Sequence, residues 1–406
     1  MSILRPFVAW LPDQRYVTEV VCPPLGELTT TEWLAMSHDN PHSFLNVIRT
    51  EVDTETGEHD PAFYSKSGRD RLDAMVDEGV LRPMDRPAFY IYRIATVAHT
   101  ATALVAAVHV AGYLDGLVVR HEHTRRATED LIVEHMQRVR AHSDPVALAH
   151  APDSELKRLI EQATAAPPML DFEVFDGGRQ TVWVVADPGM MAAIQDRIDR
   201  IPRLYITDGH HRAAAASRFA RGRDAANPAA TGIEGYHYFL GALYAEDDLH
   251  LRAFHRCVGD LGLEPADVVT LVGSVVDLEP AGTAIKPGQP GDVLLIAGGV
   301  RYRFRLPGGD ADHPYDNLDV VRLQRHILTP VLGIADPRED PRLHYVGLES
   351  ARPAEHGCVA CFMLHPTSVG EVMRVADAGL VMPPKSTWFE PKVWGGLFVS
   401  SVDVRI

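Results

Sequence analysis

One stretch constrains this chain more than any other. Leu204-Tyr205-Ile206-Thr207 is apolar and β-branched, which predicts a strand. Asp208-Gly209-His210-His211 follows as a turn, and Arg212 to Arg221 is rich in alanine, which predicts a helix. A strand running straight into a helix exposes the first, unpaired N–H groups of that helix and the positive end of its dipole. Such an entrance is an anion site. Gly209 lets the backbone approach a ligand closely. His210, His211 and Arg212 add donors and charge, and the arginine fork suits phosphate oxygens. Asp208, set among these cations, is placed to cap the helix, hold a magnesium ion or take a proton. Capping alone accounts for an aspartate there. It does not account for His-His-Arg in the first turn, where each charged, exposed group opposes the dipole at a cost of ~0.3–1 kcal/mol. A bound anion removes that conflict.

The rest of the chain alternates strands and helices. Phe89 to Arg93, Thr102 to Val110, Thr181 to Val185, Tyr236 to Tyr244 and Cys358 to Leu364 read as strands. Glu129 to Ala141, Ser154 to Ala165, Gly189 to Arg200 and Ser368 to Ala378 read as helices. Val293 to Phe304 reads as a hairpin bent at Gly298-Gly299. Ser143-Asp144-Pro145 and His150-Ala151-Pro152-Asp153 are turn chemistry and suggest a linker. The fold class is therefore α/β, mixed α+β. A length of 406 residues predicts two or three domains, and the reading divides the chain into 1–145, 150–260 and 261–406.

Composition narrows the partners. The formal net charge is -16, which disfavours a nucleic-acid backbone as partner yet permits a local basic pocket. Four cysteines are too few for a disulfide scaffold and fit a reducing cytoplasm. The first residues lack the apolar core of a signal peptide, and no apolar run reaches the ~20 residues that span a bilayer. No membrane partner is expected, and a homodimer is left open.

Three further clusters matter. Arg120-His121-Glu122-His123-Thr124-Arg125 follows a short strand, so Arg120 and Glu122 are expected on one face and His121 and His123 on the other. Glu122 is a candidate base and Arg125 a candidate phosphate ligand; the alternative is a surface ion-pair cluster. Zinc is disfavoured, because the His-Glu-x-x-His spacing is absent. Lys385-Ser386-Thr387 lies in a proline-flanked loop and offers a point charge to phosphate, or simply a tight turn. Cys358 and Cys361 read as buried core residues, and Arg252 to Arg256 as a solvated edge strand.

These residues also carry a resemblance. Asp208-Gly209-His210-His211-Arg212, with Asn40-Pro41-His42-Ser43-Phe44, Arg120 to Arg125, and Met382-Pro383-Pro384-Lys385-Ser386-Thr387-Trp388-Phe389-Glu390-Pro391-Lys392, resembles a family marked by an Asp-Gly-His-His-Arg signature, a domain of unknown function. That family looks like a relative of the ParB/sulfiredoxin-like superfamily, which includes DNA-partitioning CTPases, sulfiredoxins and free-serine kinases. The resemblance implies a ParB/sulfiredoxin-like nucleotide-binding core with flanking N- and C-terminal α/β segments. It implies ATP or ADP with Mg2+ as cofactors, and phosphorylation of free L-serine or a similar hydroxyl compound. It also implies roles: Asp208, Glu122 and His210 in catalysis; Gly209, His210, His211, Arg212, Arg120, His121, Arg125, Lys385, Ser386 and Thr387 around the nucleotide; Asp208 on the metal. The other readings are a non-catalytic nucleotide-binding regulator and a nucleotide or phosphoester hydrolase. The chain departs from the pattern at Pro23-Pro24-Leu25-Gly26, where relatives carry Pro-Pro-Tyr-Asp, and at Arg126 to Leu131, which lacks a lysine and an arginine of the family.

Overall fold

A computed structural model describes residues 2–24, 29–48, 61–175, 177–309, 313–347 and 357–406. It divides into two compact units, Met1–Leu249 with Pro391–Ile406, and His250–Glu390.

The first unit is built on a nine-stranded sheet. Its strands are β1 (Leu4–Arg5), β2 (Phe89–Ala95), β3 (Thr100–His109), β4 (Val118–Val119), β5 (Val146–His150), β6 (Leu170–Glu173), β7 (Arg179–Val185), β8 (Leu204–Asp208) and β9 (Tyr238–Ala245). They run in the order β4-β8-β5-β9-β3-β2-β7-β6, with β1 also on β3. The sheet is mixed: β4 is parallel to β8 and β5 to β9, and the other pairs are antiparallel. The central strands are apolar almost throughout because both faces are covered.

Helices α1 (Arg126–Val139), α2 (Ser154–Thr164), α3 (Pro188–Ile198) and α4 (His210–Ala226) belong to this unit. Asp153 caps α2 by accepting from Leu156 N–H at 2.8 Å, and Asp187 caps α3 by accepting from Met190 N–H at 2.9 Å. Ala213, Ala214, Ala215 and Ala216 of α4 are all buried, so small side chains let this helix lie close to the sheet. Leu104, Leu148, Ile206, Ala216, Phe219 and Leu243 share one apolar cluster. Phe398, from the returning C-terminal segment, sits 5.7 Å from Tyr90 and 5.6 Å from Tyr92 between ring centroids.

The expected linker is not one. Ala141, His142, Ser143 and Pro145 are buried, and residues 146–150 form the buried strand β5. The strand was hidden because Val146-Ala147-Leu148-Ala149-His150 is short and flanked by turn formers on both sides. One irregularity matters for the site. Tyr205 pairs with Ala149 and Ile206 with Leu148, but Ala147 pairs with Asp208, so Thr207 is an extra residue in the ladder, a β-bulge.

The second unit carries a six-stranded antiparallel sheet. Its strands are β10 (His255–Gly259), β11 (Glu279–Pro280), β12 (Asp292–Ala297), β13 (Val300–Arg305), β14 (Leu343–Val346) and β15 (Cys358–Leu364), in the order β11-β13-β12-β15-β10-β14. One expectation holds with an addition and one is corrected here. Cys361 is buried as expected, but it faces Cys257 across β10 and β15 and is joined to it as a disulfide. Arg256 lies inside the sheet on β10 and is 3% exposed, not on a solvated edge.

Candidate functional site

The first unit brings the signature turn and the Arg120–Arg125 segment together, because β4 and β8 lie side by side in parallel. Helix α4 starts at Gly209, whose φ of 93° is left-handed and which offers no side-chain cap. The first backbone bond back is Ala213 N–H to Gly209 O at 3.1 Å. Among the described residues, no acceptor takes the N–H of His210, His211 or Arg212. Three donors thus remain at the helix start.

Arg212 folds back over this turn. Its Nη2 donates to Asp208 Oδ2. Its Nε lies 2.7 Å from the place a β-carbon on residue 209 would occupy. Glycine is favoured here by the left-handed φ, and a β-carbon would make the end of the Arg212 side chain swing aside. Gly209→Ala should cost about 2 kcal/mol of stability and turn Arg212 away from Asp208. Thermal melts together with nucleotide titration test this; an unchanged melting temperature would show that the turn tolerates a side chain.

His210 lies behind the entrance rather than in it. It is 5% exposed, while Asp208, Gly209, His211 and Arg212 are part-exposed. His121 is also buried, and the two rings meet edge to face at 4.5 Å. His121 N–H donates to His210 Nε2 over a long 3.5 Å, and Arg125 N–H donates to His211 Nε2 at 3.0 Å. Burial, reinforced by His121, His211, Arg120 and Arg212, pushes the His210 pKa well below its ordinary value. Burial lowers His121 to about 4, against a weaker upward pull from its bond to the Ile206 backbone. This corrects the expectation of added positive charge from His210: the imidazole is neutral near pH 7 and no longer opposes the helix dipole. With Nε2 accepting, its Nδ1 carries the proton and faces Glu122 Oε2 at 3.9 Å.

The expected strand alternation at Arg120 to Arg125 does not hold. Strand β4 ends at Val119 and the following residues form a loop. His121 turns inward, while Arg120, Glu122, His123 and Arg125 are exposed. Within Arg126 to Leu131, Glu129 Oε2 accepts from Arg218 Nη1 of α4 at 2.8 Å and Asp130 accepts from Arg218 Nη2, so this segment ties α1 to α4. Leu25 and Gly26 lie outside the described residues.

Lys385, Ser386 and Thr387 belong to the second unit. There Lys385 has a left-handed φ of 49°, its ammonium stands 5.7 Å from the Phe254 ring centroid, and its carbonyl accepts from Arg256. Ser386 is buried and its hydroxyl has no partner among the described residues.

Sequence reasoning missed a second wall of the site. Asp144, His135, His142 and Arg212 line a small cavity of about 50 Å³. His135 Nδ1 and His142 Nε2 are buried there without hydrogen-bond partners among the described residues. Burial raises the Asp144 carboxyl above its ordinary pKa; Arg212 pulls it down and Asp208 pushes it up. The only available signal was an acidic residue just before a strand that pairs with the Asp208 strand.

The described residues contain no helix long and apolar enough to cross a membrane. Among solved structures, a free serine kinase variant in complex with AMP aligns at TM-score 0.36 and 15% identity, covering 71% of this chain and 87% of that one. A conserved hypothetical protein from Pyrococcus furiosus aligns at TM-score 0.34 and 14% identity, over 72% of this chain and 94% of its own. SbnI with a C-terminal truncation, from Staphylococcus aureus, aligns at TM-score 0.35 and 11% identity, over 70% and 82%. Likenesses at this level carry no argument about chemistry. No curated protein matches the chain in sequence. The family model described as "Protein of unknown function (DUF1015)" matches residues 4–321, more than half of the chain, and the chain belongs to that family.

Proposed function

We propose that this protein is a nucleotide-dependent kinase that phosphorylates free L-serine or a similar small hydroxyl compound, with ATP or ADP as donor. The observation that carries the reading is the helix entrance. Three unbonded amides and the Arg212 guanidinium surround Gly209, with an exposed carboxylate, Glu122, on the neighbouring segment. Phosphoryl transfer asks mainly for positioning and charge neutralisation, and this entrance supplies both. The amides of residues 210–212 and Arg212 would cradle phosphate oxygens, with Arg120 and Arg125 adding charge. Glu122 would accept the hydroxyl proton as the substrate oxygen bonds to the terminal phosphorus and the bond to the shortened nucleotide breaks. His210, neutral and protonated on Nδ1, would orient Glu122. Lys385, Ser386 and Thr387 remain candidates for the nucleotide on the family resemblance alone, as does the choice of serine.

Among the residues of the entrance, Asp208 is the carboxylate that would hold Mg2+. Among the described residues no three His, Cys, Asp or Glu side chains converge to form a cage. Asp208 gives one oxygen to Arg212 and would offer the other to the cation. Such an ion would neutralise phosphate charge. A second reading, nucleotide binding without turnover, is favoured by the replacement of the family's Tyr-Asp with Leu25-Gly26.

Phosphorus NMR of the protein with ATP or ADP, Mg2+ and serine separates the readings. A new phosphomonoester resonance is expected. Free phosphate alone would indicate a hydrolase, and an unchanged nucleotide that still binds would indicate a regulator. Arg212→Ala should weaken nucleotide binding roughly tenfold, the loss of about 1.4 kcal/mol.

A further inference from the structure

The second unit contains a cavity of about 490 Å³, within the ~300–1,000 Å³ typical of small-molecule sites. Its wall includes Arg256, Arg325 and Arg338 against a single carboxylate, Asp336. With Arg325 paired to Asp316, a surplus of positive charge still remains on this wall, in a chain whose formal net charge is -16.

Arg256 is the informative member. It is 3% exposed. Its Nη1 donates to Phe254 O and Lys385 O, each at 2.9 Å, and its Nη2 donates to Pro384 O at 3.2 Å. The guanidinium carbon lies 4.7 Å from the Tyr345 ring centroid. Every one of these partners is neutral, and no carboxylate among the described residues forms an ion pair with it. Burial lowers its pKa to about 10, as expected for a cation whose charge is not compensated by the protein. Three of the five guanidinium N–H donors are engaged, which leaves two. Burying a cation beside a cavity without a counter-ion is costly, and an anion in that cavity offsets the cost. At the rim, Arg325 pairs with Asp316, while the exposed Arg338 guanidinium has no ion pair among the described residues.

We propose that this cavity is a binding site for a small dianion bearing several oxygens on one or two centres, either a phosphate monoester or a short dicarboxylate. Arg338 and Arg325 meet the ligand at the rim, and Arg256 supplies positive potential from the wall. The site lies wholly within the second unit and does not depend on the kinase reading of the first.

Isothermal titration of the full-length protein with inorganic phosphate, and separately with succinate, tests the proposal. Saturable binding of one probe at one site per chain is expected. The Arg325→Ala/Arg338→Ala double variant, altered only at exposed positions, should bind that probe at least about tenfold more weakly and should keep its nucleotide affinity. Arg256→Met should weaken the probe likewise, with near-UV circular dichroism reporting its fold. Preference for phosphate assigns the site to phosphate monoesters, and preference for succinate to dicarboxylates. The proposal is overturned if neither probe saturates, if an adventitious ion only is indicated by equal binding to wild type and double variant, or if Arg212→Ala removes the binding and so relocates it to the first unit.

Discussion

Acidification from pH 7 towards pH 4 should unfold the first unit. His121 and His142 are enclosed and His135 is half-buried with its Nδ1 shut off from solvent, and burial pulls each to about 4 from an ordinary value of 6.5. His210 moves in the same direction. An imidazole that stays neutral in the fold but takes a proton once released makes the unfolded chain the better proton acceptor between those two values. The contribution of these rings is therefore full above pH 6.5, falls as pH drops through that window, and levels off below about 4. Each group contributes roughly 3 kcal/mol to the fall, and three together rival the ~5–15 kcal/mol that holds a typical domain folded. Melting temperatures recorded by circular dichroism from pH 7.5 to 4 should drop steeply below 6.5. Replacing His135 by glutamine should make the drop shallower by one proton. A melting temperature that holds level down to pH 5 would mean these rings are not enclosed as described.

Glu122→Gln should lower turnover by about 10²- to 10⁴-fold, the range a general base supplies, while nucleotide affinity stays within error. The split follows from geometry. Glu122 is 63% exposed at the side chain and touches the site only through the 3.9 Å approach of its carboxylate to His210 Nδ1. Amide replacement keeps the shape and removes the proton acceptor. The phosphate cradle at residues 209–212 is untouched, so binding should survive. Single-turnover kinetics alongside nucleotide titration separate the two quantities. Equal loss of binding and turnover would place Glu122 in the cradle; full activity would remove it from the mechanism.

The signature turn was legible because its signals are local. A β-branched run, one glycine and a helix-forming stretch lie within a few residues of each other, and each element resulted. What stayed hidden depends on contacts between distant segments. Asp144 faces Arg212 only because β5 pairs with β8, and β5 itself was disguised by its turn-forming neighbours. The neutrality of His210 was invisible because it comes from enclosure beneath the Arg120–Arg125 loop. The burial of Arg256 depends on three carbonyls and a tyrosine ring, none of which announces itself in a run reading Arg-Ala-Phe-His-Arg.

The irregular ladder at Thr207 makes the site depend on strand register as well as on residue type. Side chains on a strand alternate between faces with each step, and the additional residue resets that alternation just before Asp208. Were Thr207 to take the place opposite Ala147 instead, the ladder would be uninterrupted and Asp208 would fall on the Ile206 face, away from Arg212. Every chemical group of the entrance would survive, yet its charge pair would be dismantled by a slip of one residue in the pairing.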